Sequence, residues 1–287
     1  MKIAITGSTG FIGQALIWHL QNIKGEHQIR TFDRKKHSLQ DKTSLLPLFK
    51  NCDLVFHLAA VNNKSDPNLF STNVLGTINV LEAINEVANP SCKIIFTSSF
   101  SVYKLPKKNE IITEQFTTHP SNRYGISKLI SEKILELYSQ NSNKEIIILR
   151  ISNPYGPRMT PYKHSVIATF FAETLKNNPL IIHGKGTQTR DFIYIDDVVT
   201  ALWKSAITSF PSRFSIINIC SGAQTSIESL IQILEKCLKK KLKVAYKTQE
   251  KEAGFWKGDN SFARKTLNWK PTIDIQRGIR IYCQQLL

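Results

Sequence analysis

The sequence predicts an α/β chain: a doubly wound parallel sheet, with a smaller C-terminal lobe built over the strand ends. Three observations predict it. A glycine-spaced turn, Gly7-x-x-Gly10-x-x-Gly13, joins a short apolar strand to an apolar helix at the start of the chain. Runs of Ile, Leu, Val and Phe recur at 53–58, 93–97 and 145–150 and alternate with longer amphipathic stretches, the pattern of parallel strands covered by helices on both faces. Past Ile151 the texture changes, with prolines at 154, 157 and 161 marking an irregular loop before shorter strands and helices resume.

The first turn carries the most chemistry. Gly7 allows the sharp exit from the strand, Gly10 lets a pyrophosphate approach the backbone, and Gly13 lets the helix pack closely on the strand. Free N–H groups and the positive dipole end of the helix face the phosphates. Asp33 closes a second strand-like run, Gln28 to Phe32, at the distance where an acid meets the adenosine ribose hydroxyls. Strand, glycine turn, helix, strand and acid together predict a dinucleotide site.

The remaining elements follow in order. A helix is expected over about 11–24, with Gly25 breaking to the second strand. Only Lys35 to Asn51 separates that strand from the next, so one strand or helix of the usual set is abbreviated there. A long amphipathic helix over about 67–87 places Phe70, Val74, Ile78, Leu81 and Ile84 on one face. Strand 93–97, a polar loop to about His119, helix 121–138 and strand 145–150 follow. Then come helix 164–176, strand 180–183, strand 191–195 and a helix opened by Asp196 and Asp197 as cap and first-turn acids. Strand 215–220, a helix capped near Thr225 and Ser226, and a helix pair around Pro271 finish the chain. The expected division is a dinucleotide-binding unit over 1–152, completed by segments near 191–220, and a mainly substrate-binding lobe over 153–287.

Composition bounds the function. The chain has 287 residues, 41% hydrophobic and 21% charged, which suits a soluble globular protein with a sizeable core. No basic and apolar leader precedes the first strand, and no apolar run approaches the roughly 18 residues of a membrane span. The expectation is a cytoplasmic protein with no membrane partner. Five scattered cysteines (52, 92, 220, 237, 283) form no CxxC pair, so neither a disulfide framework nor a zinc site is expected. The formal net charge of +16 raises nucleic acid as a partner. No basic strand interleaved with aromatics accompanies it, as single-stranded RNA readers need, and RNA binding is disfavoured. Lys239 to Lys243 reads as the solvated end of a helix.

Tyr124-Gly-Ile-Ser-Lys128 sets a phenol and an ammonium on one helix face. The lysine is expected to favour the phenolate and lower the phenol below its usual value near about 10. Such a base can take a proton from a sugar hydroxyl while a nicotinamide takes the hydride. Ser99, at the end of the preceding strand, can share that proton or hold the substrate oxygen.

These residues, with their order and spacing, resemble the extended short-chain dehydrogenase/reductase family, specifically its NAD-dependent nucleotide-sugar epimerases and dehydratases. The resemblance runs through GSTGFIG at 7–13, HLAA at 57–60, NVLGT at 73–77, SSFSVY at 98–103, YGISK at 124–128, NPYGPR at 153–158, GKGTQTRDFIYIDD at 184–197 and DNSFARKTLNWKP at 259–271. It implies a Rossmann sheet and assigns roles. Gly7, Gly10, Phe11, Ile12 and Gly13 would line the pyrophosphate turn, Asp33 would meet the ribose, and Leu58, Ala59 and Ala60 would run along the cofactor with Asn73 supporting that wall. Tyr124 would be the base, Lys128 would hold the nicotinamide ribose, and Ser99 would take the catalytic serine position. Asn153 would meet the nucleotide-sugar phosphates or the glycosyl oxygen, and Arg190 the diphosphate. A homodimer through helices 67–87 and 120–138 is also implied, with Ile130 and Leu137 as apolar positions compatible with it.

The departures bear on substrate. Asn62 stands where the epimerases often carry a basic residue after HLAA, and Lys104 where a glycine commonly follows VY. The second phosphate-binding arginine is missing, with Lys247 or Lys251 as replacements that lack its forked geometry. Phe100 and Ser101 occupy the positions where 4,6-dehydratases carry an Asp-Glu pair, and no cysteine of the 3,5-epimerising reductases is present. A C4 epimerase that keeps its NAD is the reading reached, with an NAD(P)H-dependent 4-keto-sugar reductase as alternative and a non-catalytic dinucleotide or RNA binder as a third. Asp33 repels a 2′-phosphate and favours NAD, while Arg34, beside Lys35 and Lys36, could accommodate the phosphate of NADP. No metal site is expected.

Overall fold

The computed structural model describes residues 1–157, 165–248 and 254–286, so Arg158 and Lys251 lie outside the described residues. The chain enters the sheet at β1 (Lys2–Thr6), crosses over through α1 (Phe11–Asn22) and returns as β2 (Gln28–Thr31). The short segment that follows keeps its strand, β3 (Leu54–His57), and abbreviates its helix: α2 (Lys42–Phe49) has eight residues. Asp41 caps it by accepting from Thr43 N at 2.9 Å, and Arg30 reaches from β2 to Lys50 O at its end at 2.6 Å.

Next come α3 (Gly76–Val87), β4 (Lys93–Ser99), α4 (Arg123–Gln140) and β5 (Glu145–Ile151). The stretch expected as one helix over 67–87 is regular only from Gly76. Before it lies a wide turn, Ser71–Leu75, that carries the buried Asn73. Beyond β5 lie β6 (Asn153–Tyr155), α5 (Val166–Leu175), β7 (Leu180–His183), β8 (Thr189–Arg190), β9 (Phe192–Tyr194), α6 (Ile195–Ile207) and β10 (Phe214–Ile219). The chain closes with β11 (Thr225–Ser226), α7 (Ile227–Leu238), β12 (Val244–Lys247), α8 (Ser261–Leu267) and α9 (Ile275–Leu286).

Six strands form the central sheet in the order β10-β5-β4-β3-β1-β2, each pair parallel. Strand periodicity splits the core in two. Ile3, Ile5, Leu54, Phe56, Ile95, Ile147 and Leu149 point to the face carrying α1 and α6, in a core continuous with that of α5, α7 and α9. Ala4, Val55, Ile94, Phe96, Ile146 and Ile148 point to the face covered by α2, α3 and α4. Burial on both faces explains why these strands read as unbroken apolar runs.

Three expectations are corrected. The strand expected over 191–195 is shorter, β9 at Phe192–Tyr194, with Asp191 fully buried just before it and Ile195 already opening α6. Asp196 and Asp197 both fall in the first turn of α6, whose cap is Tyr194. Asp197 is buried and receives Thr272 N, Thr272 Oγ1 and Ile273 N at 2.9, 2.8 and 3.1 Å, so it clamps the C-terminal segment. Cys237 and Cys283, 46 residues apart, are paired as a disulfide between α7 and α9. Packing of those two helices brings together cysteines that spacing could not relate. Cys52, Cys92 and Cys220 are free and buried.

Candidate active site

A cleft of about 2010 Å³ opens at the C-terminal ends of β1, β3, β4 and β5, bounded on the far side by β7, β8 and β12. Parallel sheets place ligands there because helix N-termini and strand-end loops converge at that edge. Gly7, Gly10, Phe11, Ile12, Gly13, Arg34, Leu58, Ala59, Ala60, Ser99, Tyr124, Lys128, Asn153 and Arg190 all line it. Asp33 and Asn73 are not in its wall.

The glycine turn fits a dinucleotide. Gly7 adopts φ +72°, and a Cβ there would meet Ala59 N at 2.6 Å; a Cβ on Gly13 would meet Gly7 O at 2.2 Å. Both glycines therefore let α1 begin directly against the β1 and β3 strand ends. No side chain caps α1, whose first-turn N–H groups are left to an anion from the cleft.

Asp33 holds a turn just beyond β2. Its carboxylate accepts from Lys35 N at 2.9 Å, and its own N–H donates to His37 Nδ1 at 3.0 Å. Asn73 sits behind the cofactor wall. It brackets Val61, accepting from its N–H at 2.7 Å and donating to its carbonyl at 2.9 Å, and it donates to Ser127 Oγ at 2.9 Å.

His57, the first residue of the HLAA motif, joins the same network. Thr77 Oγ1 donates to Asn73 O at 2.6 Å, so it accepts from His57 Nε2 at 3.1 Å; Nδ1 then accepts from Thr6 Oγ1 at 2.7 Å. Burial, and secondarily the charge of Lys128, push its pKa down to about 3. The ring is neutral in the folded state at every pH near neutrality, whereas in the unfolded chain it gains a proton below about 6.5. Between those values the unfolded state binds the extra proton, so stability falls as pH drops from about 6.5 towards 3. Urea unfolding from pH 7 to 5 should show this loss in the wild type and a shallower slope in His57→Asn; equal slopes would refute it.

Tyr124 and Lys128 lie on the first turns of α4, whose cap Asn122 accepts from Gly125 N at 3.1 Å. Gly125 presses on the Ser101 carbonyl, which a Cβ would approach to 2.1 Å, so α4 docks tightly on the strand-end turn that carries Ser99. The phenol is hydrogen-bonded to Ser99, but the loss of hydration dominates and raises it to about 12. This corrects the expected lowering. The Lys128 ammonium donates to Thr97 O at 2.8 Å and lies 4.4 Å from the Phe96 ring centre, and burial pushes its pKa down to about 7 against the pull of Glu132. The two groups share a helix face, and desolvation within the protein disfavours the charged form of each.

At the far end, Arg190 donates to Thr189 O at 2.9 Å and Gly254 O at 3.3 Å. Among the described residues it forms no salt bridge, and burial lowers its pKa. Its neighbour Asp191 is committed elsewhere, accepting from Ser152 Oγ, Ser221 N, Ser221 Oγ, Gly222 N and Gly258 N at 2.8–3.1 Å. Asn153 donates to Asp191 O at 3.1 Å, so both substrate-side residues hang on this one carboxylate's loop cluster. Lys247 lines the cleft beside His183. Trp256, missed in the sequence, also lines it, its N–H donating to Thr189 O at 3.4 Å. Only the chain's return from α7 reveals it, and no local pattern marks it. Among the described residues no cluster of His, Cys, Asp and Glu could hold a metal, and no helix is long and apolar enough to cross a membrane.

Comparison with known proteins places the chain in a family. The model of the NAD dependent epimerase/dehydratase family matches residues 3–220. A putative UDP-glucose 4-epimerase of Methanocaldococcus jannaschii is 32% identical over 97% of this chain and 96% of its own. The crystal structure of Thermotoga maritima UDP-glucose 4-epimerase with UDP-glucose superposes with a TM-score of 0.89 at 26% identity, covering 100% of this chain and 98% of that one. A tyrosine-to-phenylalanine variant of Bacillus cereus UDP-glucuronic acid 4-epimerase, bound to a fluorinated UDP-sugar and NAD, gives 0.88 at 28% identity over the whole of both chains. The family model covers most of the chain, and the chain is a member of the NAD-dependent epimerase/dehydratase family.

Proposed function

We propose that this enzyme epimerises a nucleoside-diphosphate hexose at C4, with a UDP-sugar as the substrate class. The observation that carries the reading is Ser99, Tyr124 and Lys128 facing a cleft that also holds the uncapped α1 N-terminus and the anion-seeking Arg190. NAD, when bound, would supply reversible hydride chemistry at the sugar carbon. Gly7 to Gly13 would hold its pyrophosphate, with Asp33 at the ribose hydroxyls and Lys128 at the nicotinamide ribose. Tyr124 takes the proton of the sugar hydroxyl and gives it back, so the protein ends each turnover unchanged. Lys128 stands one turn along the same helix face, and Ser99 steadies the oxygen that Tyr124 deprotonates. Arg190 and Asn153 hold the diphosphate end, leaving the ring free to present its opposite face.

Proton NMR of the purified protein with UDP-glucose, UDP-N-acetylglucosamine and UDP-glucuronate, without added cofactor, tests this. A C4 epimer is expected; no product from any sugar would turn the assignment to the reductase, tested with NADPH and a 4-keto sugar. Arg190→Ala should raise KM for the UDP-sugar about 30-fold, the loss of one charge-assisted pair, with NAD content unchanged. An unaltered KM would remove Arg190 from the diphosphate site.

The solution state we propose is a homodimer. Ile126, Ile130 and Leu137 are 38%, 39% and 61% exposed along α4, an apolar stripe that a second copy would cover. Light scattering at a monomer mass would exclude it.

A further inference from the structure

Three consecutive residues of β4 each face one residue of α4. The Thr97 carbonyl accepts from Lys128 Nζ at 2.8 Å, Ser98 Oγ donates to Glu132 Oε1 at 2.5 Å, and Ser99 stands beside Tyr124 in the cleft wall. The helix partners 124, 128 and 132 are spaced by four, a single stripe facing the strand. Two of these rungs belong to the proposed chemistry, and the third, Glu132, does not.

Glu132 is held from a third element as well. Arg150 on β5 donates to it through Nε at 3.0 Å and Nη2 at 2.6 Å, with both side chains no more than 5% exposed. The guanidinium lies 4.8 Å from the Tyr103 ring centre and donates to Glu114 O at 3.3 Å, while Tyr103 donates to Asn218 Oδ1 at 2.6 Å.

We propose that Glu132, fixed by Arg150 and Ser98, is a positioning residue for catalysis: it sets the register of α4 on β4 so that Tyr124 meets Ser99, and it supplies the carboxylate that keeps Lys128 charged. The proposal rests on reading Tyr124 and Lys128 as the catalytic pair. The groups facing Lys128 leave Glu132 as its counter-charge. From β4 come the Thr97 carbonyl and the Phe96 ring; from β3 comes His57, neutral between Thr6 and Thr77; on its own helix are Tyr124 and Glu132. Arg150 pairs with Glu132 directly from β5, while Lys128, one turn away on the same helix face, feels that carboxylate as a nearby opposite charge.

A purely structural buried ion pair can be exchanged for apolar side chains at little cost. A positioning carboxylate cannot, and that difference makes the test. Wild type, Glu132→Gln and the double variant Glu132→Leu/Arg150→Met are purified with their bound NAD and assayed for epimerisation of the substrate found by NMR, as kcat and KM against pH. Glu132→Gln is expected to lower kcat about tenfold and move the alkaline limb down by about one pH unit, because Lys128 sheds its proton sooner. KM should change less than about twofold, since no contact to the diphosphate is touched. The double variant is expected to keep the wild-type melting temperature yet show the same slow kcat and shifted limb. A double variant with the wild-type profile would reduce the pair to packing and overturn the inference. Should the charge variants not fold, Glu132→Asp decides: kcat is expected to fall with the limb unmoved, and an unchanged kcat overturns the proposal. No turnover by the wild type would instead remove the catalytic reading beneath it.

Discussion

Tyr124→Phe is expected to lower epimerase turnover by about 10²–10⁴-fold, the range by which a positioned general base accelerates a proton transfer. The substitution removes one oxygen and leaves the ring, so the packing of α4 against β4 is retained. The lost bond is the one to Ser99, which sits at a strand end and retains Ser101 as a neighbour at 3.2 Å. NAD content and melting temperature should therefore match the wild type. Measured at several pH values, the residual rate should also lose the limb owed to the phenol, which burial raises to about 12. Ordinary turnover in this variant would end the assignment of Tyr124 as base, whatever the fate of the fold.

The second large effect is on stability. Asp191→Ala should cost roughly 3–5 kcal/mol in chemical denaturation at pH 7, because several buried donors lose their shared acceptor at once. Those donors come from three stretches of chain: Ser152 after β5, Ser221 and Gly222 after β10, and Gly258 before α8. The carboxylate is fully buried, and burial raises its pKa even against those hydrogen bonds, so it is stabilising only while every donor is engaged. Asp191→Asn should fall between the two, since one amide oxygen still accepts while its NH₂ faces donors. A loss below about 1 kcal/mol for the alanine variant would mean that water or neighbouring groups replace the carboxylate. In folded Asp191→Ala protein, KM for the UDP-sugar should rise as well, because Asn153 and Arg190 flank the hub.

The sheet and its first crossover were legible in the residues alone. Strands buried on both faces must be apolar throughout, so β3, β4 and β5 announce themselves, and the turn at Gly7 to Gly13 demands glycine where Cβ atoms would strike the backbone. Tyr124 falls above Lys128 for an equally local reason, the four-residue spacing of a helix. Whatever depends on partners distant in the chain needed the folded molecule. Asp191 reads as an ordinary surface acid until loops from three parts of the chain converge on it. Glu132 reads as a solvated helix charge until Arg150 arrives from β5, and Cys237 meets Cys283 only when α7 packs on α9. The phenol of Tyr124 moves opposite to the direction its lysine neighbour suggests, for the same reason. Spacing gives the charge of a neighbour, but only packing gives the loss of water, and at Tyr124 the loss of water outweighs every favourable contact.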